Sequence, residues 1–168
     1  VSKYLILGHG GHGKDTFAEF LCAATGWKFG SSSRVALDAI WPALQLACEY
    51  MPHEKELAFK HRGNHRRVWK ELISLYNAAD KSALCRRVLK DYDIYVGMRC
   101  DEEYAASRHL FTAVIYVRAD PRVPPEPSMS IQYDPNSMIL IDNSGEIEEL
   151  QGQATALGEL LLRLEAQK

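Results

Sequence analysis

The sequence predicts an α/β chain, with about five parallel strands and helices on both faces of the sheet. Three observations predict it. Short runs that are apolar throughout, as a strand buried on both faces must be, recur along the chain. Segments of helical period separate them. Hydrophobic residues make up 46% and charged residues 25%, which is ordinary globular usage and excludes a disordered, collagen-like or coiled-coil chain.

Each element follows in order. Tyr4-Leu5-Ile6-Leu7 is the first strand and ends in glycines. From Gly13 the period turns helical, with Phe17, Phe20, Leu21 and Ala24 recurring at three and four until Gly26 stops it. Trp27-Lys28-Phe29 is a second short strand, ending in Gly30-Ser31-Ser32-Ser33. A helix from about Arg34 to Tyr50 follows, and Pro42 is expected to kink or split it. Residues 52–91 form a charged helical block with no strand signal. There Val68, Leu72, Leu75 and Tyr76 make one apolar face, and Leu84, Val88 and Leu89 the next. Asp93 to Gly97 reads as a third strand, Asp101 to Leu110 as a helix, and Thr112 to Val117 as the clearest strand. Between Asp120 and Pro135 lie five of the seven prolines, which predicts a long loop. Met138 to Ile141 is the last strand. A closing helix runs from Glu146 to about Glu165, with Ile147, Leu150, Leu157, Leu160, Leu161 and Leu164 on its apolar side.

A length of 168 residues fits one domain, 1–168, with the helical insert at 52–91 and a lid-like loop at 119–136. Twenty Lys+Arg against 22 Asp+Glu leave a net charge of −2, which disfavours a globally basic nucleic-acid binder but not a local basic face. No apolar run approaches the roughly 18 residues of a membrane helix. Cys22, Cys48, Cys85 and Cys100 are widely spaced with no C-x-x-C pair, so neither a disulfide framework nor a zinc site is indicated. Cys22 reads as a small core residue. With a strand rather than a signal peptide at the start, the expected compartment is a reducing cytoplasm.

The chemistry lies in Gly8-His9-Gly10-Gly11-His12-Gly13-Lys14-Asp15-Thr16. Gly8, Gly13 and Lys14 meet G-x-x-x-x-G-K, set between a strand and a helix as a phosphate-binding P-loop requires. Glycines let successive N–H groups turn toward phosphate oxygens, and the following helix adds its positive end. Lys14 can reach the β- and γ-phosphates of ATP and follow charge as a phosphoryl group moves. After the lysine a Ser or Thr is expected, to hold Mg²⁺; here stands Asp15, then Thr16. The Asp15 carboxylate can hold Mg²⁺, or it is simply an acid in a helix first turn. His9 and His12 either line the loop, donating to phosphate, or face solvent.

Gly-Lys-Asp-Thr, together with later segments, resembles the bacteriophage deoxynucleoside monophosphate kinases, members of the P-loop kinase superfamily. The matching pieces are Leu5 to Leu21, Ile94 to Tyr104, Ala113 to Arg118 and Ile139 to Leu150. The resemblance implies a three-layer P-loop kinase fold with ATP and Mg²⁺ as cofactors. It implies that Arg99 contacts substrate or the phosphoryl group, that Arg118 and Arg122 stand where the family's lid carries arginines, and that Asn143 and Gly145 form the turn beside adenine. The block after the second strand becomes the acceptor-binding subdomain. Gly97 stands where the family has an acid at the end of the third strand, which makes Asp15 the magnesium candidate.

On the acceptor side, residues 60–70 hold five Lys/Arg and two His with no acid. Arg66 and Arg67 suit a dianionic phosphate, and Trp69 can stack on a base; alternatively this is a solvated helix face with Trp69 in the core. Ser32, Ser33 and Arg34 follow the second strand at its C-terminal end and can hold a sugar or phosphate; Ser32 or Ser33 also suits a helix N-cap. Glu103 can orient Arg99, four residues earlier.

Three functions result. The first is transfer of the γ-phosphoryl of ATP to a (deoxy)nucleoside monophosphate by Lys14, Mg²⁺ and arginines. The second is a phage DNA-modification kinase acting on a 5-hydroxymethyl pyrimidine within DNA, with Asp38 or Asp15 as base and host cytoplasm as location. The third is a nucleotide-binding module without catalysis. The base, the sugar and the oligomeric state stay open.

Overall fold

A strand that is apolar at every position needs cover on both faces, and β1 (Tyr4–Leu7) has it, with all four residues buried. The computed structural model describes residues 2–167. β1, β2 (Phe29–Ser31), β3 (Ile94–Val96), β4 (Ala113–Arg118) and β5 (Ile139–Asp142) form one parallel sheet in the order β2-β3-β1-β4-β5. Ile6 of β1 pairs with Val96 on one side and Ile115 on the other. This places β1 in the middle, with its C-terminal end between chains that cross over in opposite directions, where open α/β sheets bind ligands.

Helices close both faces. Against one lie α1 (Lys14–Thr25) and α7 (Ile147–Glu165), whose Phe17, Leu21, Leu150 and Leu157 join Tyr4, Ile6, Val96 and Ile115 in a core; half-buried Cys22 packs at its edge. Against the other lie α2 (Ser32–Cys48) and α5 (Ala83–Asp91), with Ala36, Leu84 and Val88 on Leu5, Leu7, Tyr95 and Tyr116. The insert between β2 and β3 continues with α3 (Lys55–Lys60), a 3-10 turn (Arg62–His65) and α4 (Arg66–Tyr76), and has its own small core. In it Leu37, Ile40 and Leu44 of α2 meet Ala58 and Trp69. α6 (Asp101–Ser107) and a 3-10 turn (Arg108–Leu110) lead from β3 to β4. Among the described residues, no helix is long and apolar enough to cross a membrane.

Several expectations shift in detail. β2 begins at Phe29, because Trp27 is used to stack on Tyr4 with ring centroids 4.5 Å apart. α2 starts at Ser32 and runs through Pro42 without a break; the proline forfeits one backbone bond, and Leu37, Ile40 and Leu44 hold both halves in the insert core. Its cap is Ser31, whose hydroxyl accepts the Arg34 N–H at 3.3 Å, rather than Ser32 or Ser33. α4 buries Trp69, while Leu75 is 69% exposed, so the buried face lies off the predicted stripe. On α7, Ile147, Leu160 and Leu164 remain exposed, because Ala154 and Gly158 complete the packed face instead.

Glu103 does not orient Arg99. It is buried, and its carboxylate accepts a 2.9 Å hydrogen bond from the Tyr95 hydroxyl. Burial pushes its carboxyl from the ordinary 4.5 up to about 7, with the Tyr95 bond opposing. The folded state therefore holds this proton more tightly than the unfolded chain. That stability is fully present below about pH 4.5 and is lost as pH rises through about 7. Wild type is expected to lose ~2–3 kcal/mol relative to Glu103→Gln between about pH 5 and about pH 8, read from urea unfolding. A difference between the two proteins that does not change with pH refutes the buried proton.

Candidate functional site

Residues 8–13 join the end of β1 to α1. Gly13 caps α1 with φ 85°, a left-handed conformation that an L side chain would strain, and no side chain caps the helix. The first N–H groups of a helix lack intrahelical partners, so this end can accept an anion. Lys14 lies at the same end and is only 8% exposed. Burial pulls its pKa below the ordinary value; Asp15 opposes, and Arg99 and Arg62 lower it further. The Asp15 carboxylate stands 3.9 Å from the Lys14 ammonium and is largely exposed.

β3 ends in Gly97 at φ 94°, where the resemblance expects an acid. A Cβ there would lie 3.9 Å from Lys14 Cε and 3.1 Å from the Ser32 hydroxyl, so the position touches the lysine stem but supplies no ligand. Asp15 and Thr16 remain as oxygen donors for Mg²⁺. The fit is adequate, because Mg²⁺ in such sites takes one or two carboxylates, substrate phosphates and water. Among the described residues no group of three or more His, Cys, Asp or Glu side chains is gathered for a metal.

Both loop histidines bond the segment after β4. His12 is fully buried and turned to the segment after β4: its Nδ1 accepts the Ala119 N–H at 3.1 Å, and its Nε2 donates to the Val123 carbonyl at 3.0 Å. This fixes the neutral Nε2–H tautomer. His9 Nδ1 accepts the Glu126 N–H at 2.9 Å. The His12 ring is therefore fully engaged by this segment, while His9 is held through one nitrogen. Buried Asn143, at the end of β5, donates its amide to the His12 carbonyl at 3.0 Å, and its own carbonyl accepts from Arg122 at 2.6 Å. Asn143 thus supports the loop from behind. Arg118 lies over the Tyr133 ring, and Gly145 stands in the turn before α7, beside Glu149.

Sequence reasoning missed the residue at the front of the loop. The Glu126 carboxylate accepts the Gly10 N–H at 2.9 Å, Arg66 at 3.0 Å, and both Arg99 and the Ser128 hydroxyl. Arg99 also donates to Ser128 at 2.7 Å. Burial alone would raise the Glu126 carboxyl, but the Ser128 hydroxyl, Arg99 and the Gly10 N–H outweigh it and bring it down to about 2. A signal existed: Glu126 is the single acid between Asp120 and Asp134, set among Pro124, Pro125 and Pro127.

The acceptor-side expectations divide. Arg66 reaches the loop through Glu126, but Arg67 is 91% exposed and paired with Glu71 one turn along α4. Trp69 is 4% exposed in the insert core, edge-on to Phe59, so it offers no face to a base. Arg34 makes a bidentate pair with Glu56 at 2.8 Å, and Asp38 takes Lys55 at 2.6 Å; both pairs tie α2 to α3 along a cleft of about 260 Å³. Asp38 is therefore occupied by a cation rather than poised as a base. Ser32 donates to the Gly97 carbonyl at 3.0 Å, beside Lys14, while Ser33 is half-buried in the first turn of α2. Arg62 was not anticipated. It lies over the Phe59 ring, shared with Arg34, and is near enough to act on Lys14.

No family model matches the chain, and no curated protein matches it in sequence. Among solved structures, a gluconokinase from Sinorhizobium meliloti 1021 aligns over 99% of this chain and 97% of its own, with a TM-score of 0.50 and 15% identity. The chain shares the open α/β fold of that protein. A sugar kinase from Janibacter sp. HTCC2649, solved unliganded, aligns over 93% of this chain and 94% of its own, with a TM-score of 0.48 and 16% identity.

The buried histidine gives this fold a testable dependence. His12→Ala leaves the Ala119 N–H unpaired and opens a cavity, so it is expected to cost about 2–4 kcal/mol in urea unfolding and to speed tryptic cleavage after Arg122. A loss under about 0.5 kcal/mol contradicts this account of the loop.

Proposed function

We propose that the chain is an ATP-dependent phosphotransferase whose acceptor carries an anionic group, a (deoxy)nucleoside monophosphate in the first instance. The observation that carries this reading is the gathering of Lys14, Arg62, Arg66 and Arg99 at one loop mouth. Lys14 is buried there, and both Arg62 and Arg99 oppose its charge. Cations gathered at one place, one of them buried, favour a multiply charged anionic partner. The P-loop and the open end of α1 take the donor phosphates, with Lys14 on the transferring group. Arg66 and Arg62 come from the insert, on the side from which an acceptor phosphate would approach, and Arg99 stands between the two. Asp15 and the Thr16 hydroxyl would hold Mg²⁺, which neutralises phosphate charge when bound. A phosphate acceptor needs no general base, in keeping with an Asp38 already paired to Lys55.

An acceptor screen tests this. ADP release is measured with all (d)NMPs, with gluconate, the sugar acid in the name of the S. meliloti neighbour, and with hydroxymethyluracil-containing duplex. Turnover with a (d)NMP supports the reading; turnover only with gluconate or with the duplex replaces the acceptor. ATP binding without any turnover selects the non-catalytic module. Lys14→Ala is expected to lower kcat by about 100-fold or more. Arg66→Ala is expected to raise the acceptor KM roughly tenfold or more.

A further inference from the structure

Glu126 is held in an unusual way for an acid on a loop. One oxygen takes the backbone N–H of Gly10 inside the P-loop; the other takes Arg66, Arg99 and Ser128. Its side chain is 15% exposed. Guanidinium groups, a hydroxyl and a P-loop amide are the donor set that binds a phosphoryl group. We infer that the mouth of the P-loop contains an anion subsite, formed by the Gly10 N–H, Arg99 and Arg66, that the chain fills with its own Glu126 carboxylate and from which a nucleotide phosphate must displace it. The inference rests on the nucleotide reading proposed above and adds an internal competitor to it.

The segment that carries Glu126 is built to move as a short stiff arm. Pro124, Pro125 and Pro127 lock φ around it, so little backbone freedom is lost when it docks. Both ends are anchored. His12 holds Ala119 and Val123, while Met129 and Ile131 are buried against the sheet and the Ser130 N–H donates to the Arg99 carbonyl at 2.9 Å. Between these anchors, residues 124–128 are held by the Glu126 carboxylate on Gly10, by the Glu126 N–H on His9, and by the Ser128 hydroxyl on Arg99. All three ties lie at the mouth of the loop. Displacing one carboxylate therefore frees Gly10, Arg66 and Arg99 together, without unfolding either anchor.

An internal competitor weakens apparent affinity by the fraction of molecules that are open. ATP binding is measured by calorimetry, with and without Mg²⁺, on wild type, Glu126→Gln, Glu126→Ala and Lys14→Ala. Both Glu126 variants are expected to bind ATP at least about tenfold more tightly than wild type, the gain for an open fraction of a tenth or less. Glutamine keeps the shape of the side chain, so the pair separates charge from packing, and circular dichroism verifies that each chain is folded. Unchanged or weaker binding by both variants, with wild type binding and Lys14→Ala not, overturns the competitor while leaving the nucleotide site intact. Weakening confined to the Mg²⁺ arm also overturns it and makes Glu126 a metal ligand. If Lys14→Ala binds as well as wild type, or no chain binds, the nucleotide reading fails and takes the inference with it.

Discussion

A loop that offers backbone N–H groups to an anion leaves them unpaired until the anion arrives, and buried or half-buried polar groups left unpaired are costly. That constraint organises this chain. The loop after β1 must be held open at the front and fully bonded at the back. The back is bonded by neutral groups: Asn143 on the His12 carbonyl, and His12 on Ala119 and Val123. The front is bonded by charge, through the Glu126 carboxylate on Gly10 and two arginines. Neutral bonds in a dry setting are permanent; a carboxylate on an anion site is exchangeable for another anion.

The sheet order makes this arrangement possible. With β1 between β3 and β4, and β5 beyond β4, the C-terminal ends of all four strands surround one loop. β3 delivers Gly97 beside the lysine stem and Arg99 two residues later. β4 delivers Ala119 and the Pro-rich arm, and β5 delivers Asn143. Four segments far apart in sequence thus meet at a turn of six residues. The insert adds Arg66 and Arg62 from outside the sheet, and for that its own small core around Trp69 must be rigid. Burial of Trp69 supports the site by fixing where α4 begins, not by touching a ligand.

The fold was legible because its signals are local. Apolar runs, helical period and a glycine-rich turn each depend on neighbours in sequence, and five strands and the P-loop followed from them. What the sequence did not reveal depends on distance. His12 reads equally as a phosphate donor or a solvent-facing ring until the segment over 100 residues away that takes both its nitrogens is seen. Arg66 and Arg67 are adjacent and alike, yet the rotation of about 100° between neighbours on a helix sends one to Glu126 at the loop and the other to Glu71. Arg34 and Asp38 look like binding groups, but Glu56 and Lys55 claim them across a helix pair. Side-chain partners of this kind are a property of tertiary approach, and no period encodes them.

Charge balance gives the acceptor its own constraint. With the arm docked, Glu126 and Asp15 stand against Lys14, Arg62, Arg66 and Arg99. With the arm withdrawn, only Asp15 remains, and the surplus of positive charge grows by one at the moment the subsite empties. A donor triphosphate cancels part of that surplus, but Mg²⁺ bound with it restores some. A neutral acceptor would leave the guanidinium groups of Arg66 and Arg62 uncompensated at the closing step, whereas an acceptor phosphate would satisfy them in bidentate fashion. The same arithmetic sets the order of events under the proposed reading. Glu126 can return only when the subsite has lost its phosphoryl group, so redocking of the arm belongs with product release.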